Sequence, residues 1–461
     1  KFFSIQLFLL LLYCFTEAKD DCDSLLAEHN DVDCFRKNSD SACWLNGTMG
    51  GYLNNTEIEQ RFARLHCLYP SLFSEKIPIG KTVENRSIYA YELGHAKHTG
   101  ANLLAATMVH ARDVTSLVTL VYSIEQLCRS YTGGTDKELI ATLDNLSVTF
   151  VPVVNVDAFE RDTEAHPHGG GESIRNVGSY RDPRVKDPKC FGVNLDHNFP
   201  LFWGQSKISQ EPCRDNYRGS QKASEPETRA IINLTKKKSF DGALLLHSAP
   251  GLHESTQLLY PWFFSNAPSH LTPAQSRTHI RLARAIRKST QDKVTMYVGL
   301  GSSSPYSGDG ALPDYLWGTD QRCVTLVMVV GVGGSVQPNK LYWPPKNAVA
   351  KTAKHLYEAI KTWIIAGGAE AIALRNNQST FSRNLHWLGV ELAVNDMHVV
   401  PLVLLVLTLL LCFGVVCYVV LCRWSSKKSR AATTAALRES KPSTPLHEPS
   451  TLDDVILFKN R

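Results

Sequence analysis

The feature that most constrains this chain is an apolar stretch from Val399 to Cys422 that contains no charged residue. As a helix, a stretch of this length crosses a bilayer core of about 30 Å, because its backbone polar groups are all satisfied within the helix. A buried core helix is the alternative. We predict one membrane-spanning helix at residues 399–422.

Basic side chains follow this stretch directly, at Arg423, Lys427, Lys428 and Arg430. An excess of lysine and arginine marks the cytoplasmic end of a spanning helix. We therefore expect a single-pass type I membrane protein whose residues 423–461 form a cytoplasmic tail. That tail is rich in serine, threonine, proline and charge, so we expect it to be disordered.

The N-terminal segment has the pattern of a signal peptide. Phe2–Cys14 is a short apolar run behind a lysine, and Thr16-Glu17-Ala18 offers small residues to signal peptidase. A run this short at the N-terminus favours a signal peptide over a buried helix. We predict that residues 1–18 are removed. Residues 19–398 are then extracellular, or lumenal in a secretory or endosomal compartment.

Glycosylation sequons and cysteines agree with that orientation. The Asn-x-Ser/Thr sequons all precede the predicted span, and they begin at Asn46, Asn54, Asn85, Asn145, Asn233 and Asn377. An even number of cysteines, typical of an oxidising compartment, lies between signal and span: Cys22, Cys34, Cys43, Cys67, Cys128, Cys190, Cys213 and Cys323. We expect a disulfide-bonded glycoprotein, with the pairing left open.

The net charge of +5 is modest, and the basic residues are spread along the chain. Apart from the cluster after the predicted span, this distribution gives no basic patch of the kind that binds nucleic acid, so we exclude nucleic acid as a partner.

The outer part divides into a cysteine-containing extension at 19–49, a domain at 50–366 and a juxtamembrane linker at 367–398. In the domain, apolar runs of strand length alternate with amphipathic stretches of helix length. We predict strands at Ser87–Leu93, Leu103–Met108, Val148–Val156, Gly242–Leu246 and Val324–Val330. We predict helices at Val114–Thr132, Glu225–Lys238, Pro273–Gln291 and Asn347–Ile365. The pattern indicates an α/β domain with a mixed, mostly parallel twisted sheet and helices on both faces.

Two histidines stand where strands end. His110 follows one predicted strand and begins His110-Ala111-Arg112-Asp113, while His247 follows another. Alone, each is more often an ordinary core or loop residue. Together with a carboxylate they would supply the nitrogen and oxygen ligands that zinc prefers.

Segments along the domain resemble, in the same order, motifs of one enzyme family. The best matched are HARD with H-A-R-E, GVNLDHNF with G-V-D-L-N-R-N-F, SEPET with S-E-P-E-T and LLYPW with L-L-Y-P-W. These motifs belong to the carboxypeptidase A and B family of zinc metallocarboxypeptidases, and the resemblance runs from about Gly50 to Ile365. The chain is similar to a divergent, membrane-anchored member of that family.

The resemblance implies a zinc site formed by His110, Asp113 and His247. Asp113 stands where the family has glutamate, and its side chain is one methylene shorter. We therefore expect zinc to be bound weakly or lost.

The resemblance also implies that the general base is missing. The family's F-T-x-E-L-R-D strand matches Val324–Val330, which puts Val327 where the catalytic glutamate stands. No glutamate lies between Glu254 and Glu358, so a shifted alignment does not supply one.

The substrate residues are altered as well. The Asn-Arg pair that holds a terminal carboxylate is replaced by Asp196-His197, and an aspartate repels a carboxylate. Arg112 matches a catalytic arginine of the family, Arg175 a second arginine of the substrate site, and Tyr306 the mobile tyrosine.

These changes favour a pseudoenzyme that binds peptide or protein C-termini with impaired hydrolysis. An active zinc carboxypeptidase that removes C-terminal residues is the alternative. A third possibility is an adhesion or receptor ectodomain whose former active site is filled.

Overall fold

The computed structural model describes residues 22–24, 45–95, 100–178, 187, 190–205, 210–250, 255–264, 271–320, 323–332 and 342–387. The described residues up to Ser379 belong to one compact unit, Lys1–Ser379, and the others to a second, Thr380–Arg461. The predicted signal peptide, span and tail lie outside the described residues. Among the helices that are described, none combines the length and apolarity needed to cross a bilayer.

The sheet has eight strands. They are β1 (Ile77–Lys81), β2 (Ser87–Gly94), β3 (Asn102–Ala106), β4 (Ser147–Val151), β5 (Gly242–Ser248), β6 (Thr256–Tyr260), β7 (Met296–Leu300) and β8 (Val324–Val330). Their order is β1-β2-β4-β3-β5-β8-β6-β7. Strands β4, β3, β5 and β8 are parallel, whereas β1-β2, β2-β4 and β8-β6 pair antiparallel. The predicted mixed sheet is confirmed.

The longer helices are α1 (Asn55–Leu68), α2 (Val114–Thr132), α3 (Lys137–Leu143), α4 (Val156–Ala165), α5 (Pro226–Lys237), α6 (Pro273–Ser289), α7 (Leu312–Asp320) and α8 (Lys346–Trp387). Helix α2 packs on β5, while α6 and α7 pack on β8. Every residue of β5 and β8 is buried. Since alternate strand residues face opposite sides of a sheet, both faces are covered there.

Local sequence explains the ends of several elements. Asn54 begins α1 with a capping box, because its side chain accepts from the Glu57 amide and the Glu57 side chain accepts from the Asn54 amide. Predicted strand Val148–Val156 was wrong at its end. The strand stops at Val151 because Pro152 has no N–H to donate, and Val156 instead begins α4.

Helix α8 continues well beyond Ile365, the residue at which the last predicted helix ends. Gly368 does not end the helix; it allows a close approach, since a Cβ there would lie 2.5 Å from Cδ2 of Leu146. Farther on, Arg375 forms an ion pair with Asp241 and donates to the carbonyl of Gly100. The part of α8 around Arg375 is thereby held beside the starts of β3 and β5.

Disulfide bonds join Cys22 to Cys67 and Cys190 to Cys213. The first ties the N-terminal extension to α1. The second closes a loop that contains Gly192–Phe199. Cys128 and Cys323 are buried thiols, so the even number of cysteines does not mean that all of them pair.

Candidate metal and peptide site

The candidate site lies where the central parallel strands end. His110 and Asp113 follow β3, Asp113 stands directly before α2, and His247 lies near the end of β5. In open α/β sheets, ligands bind beyond the carboxyl ends of the strands. His110, Asp113 and His247 are 5%, 1% and 2% exposed, so the donors are withdrawn from bulk water.

The Asp113 carboxylate lies between the two imidazoles. Its Oδ2 is 2.8 Å from Nδ1 of His247 and 3.7 Å from Nδ1 of His110, and its Oδ1 accepts from the amide of Ser248. The structure thus brings together all three residues that the sequence predicted as metal ligands, even though Asp113 has the shorter side chain.

Asn194 determines which nitrogen of His110 carries the proton. Its Oδ1 lies 3.1 Å from Nε2 of His110 and also accepts from the amide of Asp196, while its Nδ2 donates to the carbonyl of Asp215. Because Oδ1 only accepts, Nε2 of His110 is the donor. Nδ1 then keeps its lone pair, and it is buried without a hydrogen-bond partner among the described residues.

Asp196, predicted as a residue of the substrate site, gives the histidine pair a second carboxylate, a contact that was not predicted from the sequence. Its Oδ2 lies 3.2 Å from Nε2 of His247 and 3.5 Å from Nε2 of His110. Donor atoms of His110, Asp196 and His247 all lie within 4.8 Å of one another. The two imidazoles therefore offer their Nδ1 atoms toward Asp113 and their Nε2 atoms toward Asp196.

The charges shift the pKa values of these groups in different directions. Burial lowers the pKa of His110. Burial acts on His247 in the same sense, but the Asp196 and Asp113 carboxylates outweigh it and raise its pKa to about 9. Burial acts to raise the pKa of Asp113, yet the neighbouring histidines hold it below its usual value.

These residues fit a zinc ion. Zinc is bound by imidazole nitrogens and carboxylate oxygens, commonly three from the protein. Among the residues that the structure describes, the buried Nδ1 of His110 has no hydrogen-bond partner. A second ring nitrogen that is oriented by an oxygen acceptor is typical of metal-bound histidines.

Val327 occupies the centre of β8 and is 1% exposed. It pairs with Leu245 of β5 on one side and Leu259 of β6 on the other, while Val329 pairs with His247. Paired residues of adjacent strands share a face of the sheet, and so do residues two apart. Val327 and Val329 therefore lie on the same face as His247, and neither provides an acid or a base.

Arg112 and Arg175, far apart in sequence, line one cavity of about 620 Å³. The guanidinium carbon of Arg112 lies 4.1 Å from the centre of the Tyr342 ring, and Nη1 of Arg175 donates to the carbonyl of Pro212 at 2.6 Å. The cavity is also lined by Arg161, Glu172, Phe191 and Asp215. Its lining thus carries three arginines and two carboxylates, and Arg112 lies two positions after His110 in the chain.

His197, which replaces an arginine of the family motif, is turned toward another loop. Its Nδ1 donates to the carbonyl of Asp309 at 2.9 Å. Gly308 allows this packing, because a Cβ there would lie 2.1 Å from Cε1 of His197. The Asp309 carboxylate is buried and lies 3.4 Å from Nη1 of Arg218. Asp309 and Arg218 were not identified from sequence.

Tyr306 lies in the site. Its ring centre is 5.4 Å from that of His247, and its hydroxyl donates to the carbonyl of Ser248 at 3.2 Å. Of the predicted site residues, Asp113, Asp196 and Tyr306 contact the His110–His247 pair, whereas Arg175 and His197 bond to other loops. The roles of all of them remain predictions.

Comparisons with known proteins identify the family. The family model for zinc carboxypeptidases matches residues 58–359, so the chain belongs to the zinc carboxypeptidase family. It is 28% identical to human mast cell carboxypeptidase A over 206 residues, which are 44% of this chain and 45% of that relative. The chain therefore spans less than half of that relative's length.

Solved structures show the same fold. Carboxypeptidase A from Helicoverpa armigera aligns with a TM-score of 0.56 at 19% identity, covering 78% of this chain and 81% of that one. Bovine thrombin-activatable fibrinolysis inhibitor, solved in complex with tick carboxypeptidase inhibitor, aligns with a TM-score of 0.54 at 20% identity. This alignment covers 68% of this chain and 96% of the bovine chain. At such identities the likeness concerns the fold alone.

Proposed function

We propose that this chain is a membrane-anchored, zinc-binding carboxypeptidase-like protein that binds peptide or protein C-termini with impaired hydrolysis. The observation that carries the proposal is Val327, a buried apolar residue where the resemblance places the general base.

His110 and His247 would hold the metal, with Asp113 as the predicted third ligand and Asp196 on the opposite side of the rings. When bound, zinc would supply Lewis acidity that polarises a peptide carbonyl. The protein's own contribution is to orient the donors. Asn194 fixes the tautomer of His110, and Asp113 fixes the orientation of the His247 ring.

Val327 explains why hydrolysis would be slow. A positioned acid-base group is typically worth about 10² to 10⁴ in rate, and a valine can neither take up nor return a proton. Its sheet neighbours Leu245 and Leu259 are apolar as well. Ligand binding does not need that proton transfer, so it can persist after the base is lost.

The cavity beside Arg112 and Arg175 supports a binding role. It is large enough for part of a peptide, and both arginines have planar groups that hydrogen-bond carbonyl oxygens. Tyr306 lies beside His247, with 5.4 Å between the two ring centres.

The proposed location is a membrane, with the chain as a single-pass type I protein and the domain extracellular or lumenal. Support comes from the apolar run at 399–422, the basic residues after it and the disulfides of the domain. Glycosidase sensitivity of the sequon asparagines in membranes from expressing cells tests this orientation. If the sequons are unaffected by glycosidase and the tail is protected from added protease, the chain has the opposite orientation in the membrane.

The catalytic proposal is tested with the purified full-length protein in detergent. Bound zinc is measured by elemental analysis, and released C-terminal amino acids are measured after incubation with a mixed peptide library. Val327→Glu is compared with Val327→Gln, because glutamine has nearly the same shape as glutamate but cannot act as a base. We expect binding without turnover in the unmodified protein, and zinc-dependent turnover only in Val327→Glu. Chelator-sensitive turnover by the unmodified protein would refute the loss of activity.

An active zinc carboxypeptidase is the second candidate. The observation in its favour is that Asp113 and Asp196 both bring carboxylate oxygens to the histidine pair, so one is available if the other binds metal. Turnover that is lost in Asp196→Asn but kept in Val327→Gln would support this candidate.

A further inference from the structure

The carboxylate of Asp196 has an unused acceptor. Its Oδ2 faces the Nε2 atoms of His247 and His110, but its Oδ1 accepts no hydrogen bond from any residue that the structure describes. The side chain as a whole is 15% exposed, whereas its Oδ1 atom is buried. A buried acceptor without a donor is costly, and a ligand that brings a donor would remove that cost.

His197, which follows Asp196 in the sequence, is directed toward another loop. The Nδ1 proton of His197 is used by the carbonyl of Asp309, and the Arg218 guanidinium faces the Asp309 carboxylate. The resemblance to carboxypeptidases places a terminal carboxylate at this position. Here, an incoming carboxylate would face the Asp196 carboxylate instead of an arginine.

We infer that this subsite selects peptides whose C-terminus is an uncharged carboxamide, with the amide N–H donating to Oδ1 of Asp196. The inference rests on the proposed function, because it names the end group of the peptides that bind. Two physical effects favour it. A carboxamide removes the like-charge repulsion, and its NH₂ group supplies the donor that Oδ1 lacks.

Three versions of one labelled peptide separate these effects. The free acid is charged, the methyl ester is uncharged but has no donor, and the carboxamide is uncharged with two N–H donors. Their affinities for the zinc-loaded full-length protein are measured by fluorescence anisotropy. We expect the carboxamide to bind at least about tenfold more tightly than the acid, and more tightly than the ester.

Variants test the role of Asp196. Asp196→Asn with His197→Arg restores the residue types of the family motif and is expected to reverse the order, so that the acid binds best. If that pair of changes disturbs folding, Asp196→Asn alone should abolish the preference for the carboxamide. Glu59→Gln, which removes one carboxylate on α1, is the matched control and should leave the order unchanged. Zinc content is measured for each variant, because Asp196 contacts both histidines.

The outcomes distinguish this inference from the proposed function. Equal or tighter binding of the acid, or equal binding of the ester and the carboxamide, would overturn the inference while leaving peptide binding intact. Failure of all three peptides to bind would overturn both. If Asp196→Asn kept the preference for the carboxamide, a group other than Asp196 would recognise the C-terminus.

Discussion

Nε2 of His110 donates to Oδ1 of Asn194 across 3.1 Å, and this pairing directs the unpartnered Nδ1 of the ring toward Asp113. A neutral amide therefore does the orienting in this chain, where the family motif has an aspartate. The contact spans 84 positions in sequence, so it depends on how the loop after Cys190 returns to the end of β3.

Replacing Asn194 with alanine should weaken zinc binding by about 10- to 100-fold, because His110 would lose the acceptor that fixes its tautomer. Asn194→Asp keeps an acceptor and should bind zinc at least as tightly as the unmodified protein. Competition against a chromogenic chelator measures both affinities. Equal zinc affinity in the alanine variant would show that the ring is oriented by other contacts.

His279 should make stability depend on pH. It lies in α6, fully buried, with Nδ1 donating to the carbonyl of Gln275 and its ring 4.7 Å from that of Trp317. Burial lowers its pKa to about 4. Between about pH 6.5 and pH 4 the unfolded chain binds a proton that the native protein does not.

The free energy of unfolding should therefore fall as the pH falls through this range, by up to about 1.4 kcal/mol per pH unit from this residue. Above pH 6.5 the residue contributes no pH dependence, because it is neutral in both states. Chemical denaturation from pH 4 to pH 8 measures the slope. His279→Leu should show a shallower slope than the unmodified protein, and parallel curves would contradict the prediction.

The Cys190–Cys213 disulfide should stabilise both the fold and the site. It joins residues 23 apart, and a loop of that size corresponds to about 3 kcal/mol of stability in the chain-entropy account. Asn194 and Asp196 lie inside this loop, so changing both cysteines to serine should also weaken zinc binding.

The Cys22–Cys67 disulfide provides the matched control, since it joins α1 to the N-terminal extension and encloses no residue of the site. Serine substitution of that pair should lower the thermal midpoint without changing zinc affinity. If both double variants lost zinc equally, the effect would reflect general destabilisation.

Asn54 combines two roles that mutations can separate. It is the first residue of a predicted glycosylation sequon and the N-cap of α1, accepting from the Glu57 amide at 2.9 Å. Asn54→Ala should remove the glycan and cost about 1 kcal/mol through loss of the cap. Thr56→Ala should remove only the glycan.

The difference in unfolding free energy between these two variants, measured after enzymatic deglycosylation of all samples, isolates the cap. Equal stabilities would mean that the cap contributes nothing measurable. If neither variant differs from the unmodified protein in electrophoretic mobility before deglycosylation, Asn54 carries no glycan.

Local patterns predicted much of the fold. Predicted helix Val114–Thr132 and strand Val324–Val330 agree with α2 and β8 residue by residue, because each is a long segment with one consistent apolar pattern. The end of β4 was missed, since an apolar run that continues through Pro152 looks like strand until the lost N–H donor is considered. The continuation of α8 was missed because Gly368 serves close packing against Leu146.

The sequence by itself determined the chemical identity of the site. A valine at 327 has no proton to exchange in any fold, and His110, Asp113 and His247 are zinc-type donors wherever they lie. Only the tertiary structure decided that Asp196 joins the histidine pair, that Asn194 orients His110 and that His197 turns toward Asp309. The physical reason is that side-chain chemistry belongs to each residue alone. Distances of about 3 Å between residues many positions apart depend instead on the path of the whole chain.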